Sequence, residues 1–271
     1  MTLTRAWRNA PLIAGGLIVG IVVLTAALAS FVAPYDPEMA VPAQSLLPPG
    51  PHHLLGTDAS GMDVFSRLVF APRVDLLIAG LGTLISFAVG VPIGLVLGYG
   101  RGIWSDVGMR TFDVLQALPF FIVAMAIVAM TGQNTINVIW VVALVNIPIY
   151  VRLVQAQVLS HRERQYVRAA RSIGNSRFRI LWRHILPNVV APAIVQTSVN
   201  LGWAILLTAG LSFVGAGVRV PTPEWGIMIA EGAGHLITGQ WWLAFFAGLA
   251  ASTTVFGFNL LGNGLQRILQ R

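Results

Sequence analysis

Apolar residues run through this chain in long, nearly unbroken blocks separated by short polar stretches. The first block, Pro11 to Ala33, is slightly longer than the ~20 residues that cross a bilayer as a helix. Further blocks run from about Val74 to Tyr99, Asp113 to Met130, Ile136 to Leu153, Val189 to Val214 and Trp242 to Leu261. The pattern predicts an all-α integral membrane protein with six transmembrane helices. The Ala27-Leu-Ala29 stretch resembles a signal-peptide cleavage site, but the apolar run exceeds the roughly 7–15 residues of a signal-peptide core, so the first block reads as a retained helix.

The polar stretches divide the chain. From Pro34 to about Pro72 it is polar and proline-rich and ends in a short amphipathic segment, with Val64, Phe65, Leu68 and Val69 on the side expected to lie at the membrane interface. Between the last two blocks, Gly215, Gly217, Pro221 and Pro223 predict an irregular turn, while Trp225, Trp241 and Trp242 suit a membrane–water boundary. The resulting division is 1–72 for the first helix and interfacial segment, 73–264 for a membrane core with a basic loop at 161–187, and 265–271 for a tail.

Small and polar residues mark faces within the blocks. Gly90, Gly94 and Gly98 repeat at four-residue spacing on the second helix, with Pro92 inviting a kink, and Gly16 and Gly20 offer a similar face on the first. Asn146 in the fourth helix reads either as an interhelical hydrogen bond or as a substrate contact. Gln196 and Asn200 in the fifth need other helices or a water-filled path. These three are the candidates for lining such a path.

Charge then orients the helices. The net charge of +7 comes from arginine alone. Six crossings collect Arg5, Arg8, the basic loop and Arg271 on one side and leave only Arg67, Arg73 and Arg219 opposite. The positive-inside bias makes the first side, with both termini, cytoplasmic. The acids Asp36, Glu38, Asp58, Asp63, Asp75, Glu224 and Glu231 fall on the other side, in loops or near helix ends. An ion-driven transporter would need ionisable groups at mid-membrane, so this pattern argues against that class.

Several chemistries are excluded. Without cysteine there are no disulfides, thiol nucleophiles or cysteine metal sites, and without lysine there is no P-loop for ATP. An intramembrane enzyme would need a paired nucleophile and base, yet His184 and His235 fall outside the membrane blocks, so no catalytic residue is assigned. The adjacent His52 and His53 lack a spaced third ligand, and no metal site is assigned. The aromatic residues of the basic loop belong to its packing face instead of a stacking platform, which argues against nucleic acid.

The basic loop is the stretch most suited to meeting a partner. Tyr166, Ala169, Ala170 and Ile173 recur at helical spacing, and Gly174 follows where a helix commonly ends. Ser176 then N-caps a second helix with an apolar face of Phe178, Leu181, Trp182 and Ile185, which Pro187 is expected to halt or redirect. The first helix offers a small alanine face flanked by Arg162, Arg164, Arg168 and Arg171, and the alternative reading is attraction of these arginines to anionic lipid.

The order Ala169-Ala170, Gly174, then His184-Ile-Leu-Pro187 resembles the cytoplasmic coupling loop of binding-protein-dependent ABC importer permeases. His53-Leu-Leu-Gly-Thr-Asp58 with Gly61, Asp63 and Ser66-Arg67 is similar to the dipeptide/oligopeptide/nickel branch, as is Leu211–Gly232, and the likeness extends from about Ala33 to Gly264. Two positions depart from it: Arg168 stands where the family usually has glutamate, and Asn263 where it often has aspartate. The resemblance implies a type I ABC importer permease fold in a bacterial inner membrane. It also implies a second related permease, two ATPase subunits that bind ATP and Mg²⁺, and a periplasmic or lipoprotein substrate-binding protein. Tyr166, Arg168, Ala169, Ala170, Gly174 and Pro187 would form the ATPase-coupling segment. Peptides lead as substrates, with nickel chelates, opines and short glycans as alternatives.

Overall fold

The computed structural model describes residues 3–269, with side chains from residue 10 onward, so the terminal arginines Arg5, Arg8 and Arg271 lie outside the side chains described. The helices are α1 (Leu3–Val32), α2 (Val64–Tyr99), α3 (Ile103–Ala117), α4 (Phe120–Thr131), α5 (Thr135–His161), α6 (Gln165–Ser172), α7 (Arg177–Phe213), α8 (Trp225–His235) and α9 (Trp242–Leu269). Five of them, α1, α2, α5, α7 and α9, are long and apolar enough to cross a membrane, and α3 with α4 makes a sixth crossing if that bent pair is one span.

That bent pair is where the expected third helix stands. It breaks by 87° at Leu118-Pro119. Proline lacks an N–H and forces the residue before it out of the helical region, and Leu118 is accordingly extended (φ −74°, ψ 138°). α3 also begins at Ile103, inside what reads from sequence as a loop.

α2 begins at Val64 instead of Val74, because the Asp63 carboxylate accepts from the Ser66 N–H at 2.7 Å and caps the helix there. The expected interfacial segment is therefore the first turns of α2. Residue 72 falls inside that helix, and Val64 and Val69 are buried in protein. Asp75, expected near a helix end, lies buried in the fourth turn.

Pro187 does not stop its helix. Ile180–Ile185, which end two residues before it, form a π-helical segment, and Leu186 N–H bonds Leu181 O. The i→i−5 pairing thus stands directly before the proline, which has no N–H to donate. It also rotates the face, so that Ile180, Leu181 and Ile185 are buried while Phe178 is 72% exposed and Trp182 remains open. The irregular turn predicted on Gly215 to Pro223 is present and is followed by α8, capped by Glu224, while Trp225 and Trp242 are core residues instead of boundary ones.

The glycine stripe of α2 packs on α5. A Cβ at Gly90 would lie 2.7 Å from the Tyr150 Cβ, one at Gly94 2.7 Å from Val151 O, and one at Gly98 2.8 Å from the Val158 Cβ. On α1 the contact runs through Gly15, whose Cβ would meet Leu261 N of α9 at 2.6 Å. Gly16 and Gly20, about 100° or more around the helix, make no such approach. We predict that Gly90→Leu separates α2 from α5 and destabilises the chain by roughly 1–3 kcal/mol or more. Gly80→Leu, which meets nothing within 4 Å, should be tolerated. Thermal unfolding in detergent compares the two, and equal midpoints would contradict this packing.

Two apolar cores result. The larger joins α2, α4, α5, α7, α8 and α9. The smaller, at the α6 end, joins Val91, Leu95, Val154 and Val158 to Val167 and Ala170 of α6 and to Ile180 and Ile185 of α7.

Candidate functional site

α6 is built into the smaller core by one face only. Val167 and Ala170 are buried, whereas Arg168, Ala169, Ser172, Ile173 (79% exposed) and Gly174 face outward. The two alanines therefore do not form one face, because successive helical residues point about 100° apart. The helix ends as the sequence dictates. Gly174 takes φ +77°, its N–H bonds Arg171 O at 3.1 Å, and Asn175 N–H bonds Ala170 O at 3.2 Å. That pair of bonds is a Schellman motif, which glycine enters without a Cβ penalty. Ser176 caps the next turn, accepting from Arg179 N–H at 3.3 Å.

The flanking polar groups fix the position of α6. The Tyr166 hydroxyl meets His161 Nδ1 at 2.9 Å, and burial pushes the Tyr166 phenol above its ordinary range. Arg162 donates to Gly98 O at 3.1 Å and Gly100 O at 3.2 Å, tying α6 to the end of α2. Arg162 thus caps α2 instead of flanking an exposed face. Glu163 pairs with Arg101 and lies 3.7 Å from Arg162 and 4.0 Å from Arg168. A carboxylate thus lies beside Arg168, in the turn just before the helix.

A polar seam crosses the bundle between α5 and α7. The Tyr150 hydroxyl donates to Thr197 Oγ1 at 3.2 Å, and Gln196 Nε2 donates to Asn200 Oδ1 at 2.8 Å. Asn146 Nδ2 donates to Val142 O of its own helix at 2.9 Å, so it makes no interhelical bond through that group. Asn146 Oδ1 and Asn200 Nδ2 are buried without partners among the described residues. Tyr150 was not singled out from sequence. Its only signal is a phenol inside an apolar block.

At the opposite end, the segment that carried the branch likeness forms a buried polar hub. His53 Nδ1 meets Asp63 at 2.8 Å and its Nε2 meets Gln44 Oε1 at 3.2 Å, so the ring is spent on structure. Asp58 accepts from Ser60 and Met62 N–H at 2.8 and 2.9 Å. Arg67, 0% exposed, donates to Pro221 O at 3.2 Å, with Asp58 at 3.5 Å and Glu231 of α8 at 3.9 Å. Asp75 accepts from Trp225 N–H at 3.2 Å, and Glu224 accepts from Gly226 and Ile227 N–H, both at 2.8 Å. Together these bonds hold α8 against α2.

Comparison with known proteins identifies the family and the fold. Residues 90–271 match the family described as "Binding-protein-dependent transport system inner membrane component", and residues 1–49 match the "N-terminal TM domain of oligopeptide transport permease C". The chain is 38% identical to the di/tripeptide transport system permease protein DppC of Pseudomonas aeruginosa, over 97% of this chain and 88% of that one. It is also 38% identical to the glutathione transport system permease protein GsiD of Pectobacterium atrosepticum, over 98% of this chain and 88% of that one. Among solved structures, an inward-facing form of the MetNI methionine ABC transporter superposes with a TM-score of 0.64 at 16% identity, covering 76% of this chain and 97% of that one. That likeness is one of fold: the arrangement is that of a type I ABC importer permease. The chain belongs to the family of binding-protein-dependent transport system inner membrane components, the membrane-spanning permease subunits of ABC importers.

Proposed function

We propose that this permease subunit imports short peptides. It does so as one half of a translocation path completed by a second related permease, with two ATPase subunits at the α6 end and a substrate-binding protein at the α8 end. The observation that carries the coupling role is the outward strip Arg168, Ala169, Ser172, Ile173 and Gly174, on a helix whose other face is locked into the bundle by Val167 and Ala170. A load on that strip is transmitted to α2, α5 and α7 through packed side chains. The peptide assignment rests on likeness to permeases named for di/tripeptides and glutathione. On this reading the chain binds no cofactor, ATP and Mg²⁺ belong to the ATPase partners, and both termini lie in the cytoplasm. Asn146, Gln196 and Asn200 then line the path, which supplies partners for the buried amide groups left over in the single chain.

Two measurements test the proposal. A reporter fused after Arg171 should behave as cytoplasmic and one fused after Pro48 as periplasmic, and the reverse labelling would end the assignment of ends. In vesicles carrying the assembled transporter, a labelled dipeptide should accumulate with ATP only when the binding protein is present. Accumulation of a nickel chelate or a short glycan in place of peptide would transfer the system to another substrate of the same branch.

A further inference from the structure

The α6 end holds a cavity of about 350 Å³ bordered by Tyr99, Arg101, Arg171, Asn175 and Arg177, with Ile180 as its apolar wall. Its polar groups are donors. Arg171 Nη2 donates to the Tyr99 hydroxyl oxygen at 3.1 Å, which leaves the phenolic proton free to point elsewhere. Asn175 Oδ1 accepts from Arg179 at 3.3 Å, so its amide N–H groups remain. Arg171 and Arg177 have no carboxylate partner among the described residues, and Glu163, which pairs with Arg101, is shared with Arg162 and Arg168. Three arginines border this one cavity, and no carboxylate lines it.

We propose that this cavity binds a phosphate group, either as free inorganic phosphate or as the headgroup phosphate of an anionic lipid. A phosphate presents several acceptor oxygens and no donor beyond its own protons. Guanidinium forks match that geometry in pairs. The cavity borders the C-terminus of α2, the link to α3, the Schellman end of α6 and the first residue of α7. A phosphate there ties the coupling helix to α2 by bridging Arg171 and Arg177 with Arg101. Occupancy would stiffen the segment that we propose carries force from the ATPases. This last consequence rests on the coupling reading above, but the binding itself does not.

Binding is therefore read on the full-length chain alone, without transport. Inorganic phosphate is titrated calorimetrically into the protein in a zwitterionic detergent at constant ionic strength, with chloride as control. In parallel, native mass spectrometry follows phosphatidylglycerol retained from mixed vesicles. Saturable phosphate binding that weakens by about ten-fold or more in Arg177→Gln and in Arg171→Gln, and is partly kept in Arg177→Lys, supports a free-anion site. Retained phosphatidylglycerol that is lost in the same variants, with no binding of free phosphate, supports the lipid source. If neither probe binds while circular dichroism and gel filtration show an intact fold, the proposal is overturned. A dependence on Arg177 seen only with the ATPases present would likewise overturn it, assigning the cavity to a carboxylate of that partner. Failure of peptide uptake would leave the result unaffected.

Discussion

Replacing Arg67 by alanine is expected to destabilise the α8 end by about 3–5 kcal/mol, the usual cost of removing one partner from a buried ion cluster. Arg67 is fully buried, and Asp58 beside it is nearly so. Without the guanidinium, Asp58 and Glu231 face one another with no cation between them, and Pro221 O loses its donor. The effect should grow with pH. Burial already raises the Glu231 carboxyl above its usual range, while Arg67 and His235 pull it down and Asp58 pushes it up. A carboxyl raised in the fold is costly once ionised. Stability linked to it is therefore greatest below the unfolded glutamate pKa and falls as pH rises through the higher folded one. Removing Arg67 takes away a lowering influence, so the folded pKa moves further up and the loss extends toward neutral pH. Thermal unfolding of the purified variant at mildly acidic and mildly alkaline pH checks this. A transition matching the parent at both would show that Arg67 is not the pin. Arg67→Met combined with Asp58→Asn and Glu231→Gln should recover much of the loss, since an apolar isostere among neutral groups leaves no buried charge.

That hub shows what sequence reasoning could and could not reach. The apolar blocks set the spans because crossing a bilayer leaves no other way to satisfy the backbone, so where the long helices lie is legible in those blocks, whereas the break at Leu118-Pro119 and the early starts of α2 and α7 are not. The N-cap Asp63, the terminator Gly174 and the cap Ser176 act within a few residues of themselves, and α2 begins, α6 ends and α7 begins accordingly. The misread features depend on partners distant in the chain. Pro72 reads as a boundary until Asp63 and Arg67 are seen to secure the helix around it. Trp225 and Trp242 read as boundary residues because nothing local reveals that α8 folds back onto α2 and α9. The same limit applies to α6. Its spacing placed Ala169 and Ala170 on a helix, but which of them faces the bundle is decided by Val158 and Ile180, which lie in other helices.

The two alanines should therefore behave very differently when each is replaced by glutamate. Ala170 is 4% exposed and packed in the core with Val158, Val167 and Ile185. A carboxylate there has no cation within that apolar cluster, so Ala170→Glu should unseat α6 at a cost above about 4 kcal/mol, in the range reserved for buried unpaired charge. Ala169 faces outward, so Ala169→Glu should leave folding and insertion unchanged and act only on what meets that strip. On the coupling proposal, uptake and co-purification of the ATPases should both fall. Gly174→Leu belongs to a third class. No atom lies within 4 Å of a Cβ built there, but the backbone sits at φ +77°. A side chain thus meets open space on a conformation that costs it roughly 1–2 kcal/mol, which frays the end of α6 without unfolding the bundle. Limited proteolysis of the 161–187 loop separates the three: rapid cleavage for Ala170→Glu, modest for Gly174→Leu and parental for Ala169→Glu. A protected, active Ala170→Glu would show that α6 is turned the other way. Unaltered uptake and co-purification in a folded Ala169→Glu would show that the outward strip is not the ATPase contact. Arg168→Glu refines the outcome, because it places a carboxylate near Glu163, which now lies 4.0 Å from the guanidinium. Loss of the complex there with normal proteolytic protection would mean that the ATPase surface is matched to arginine, whereas a tolerated change would put position 168 at the periphery of the contact.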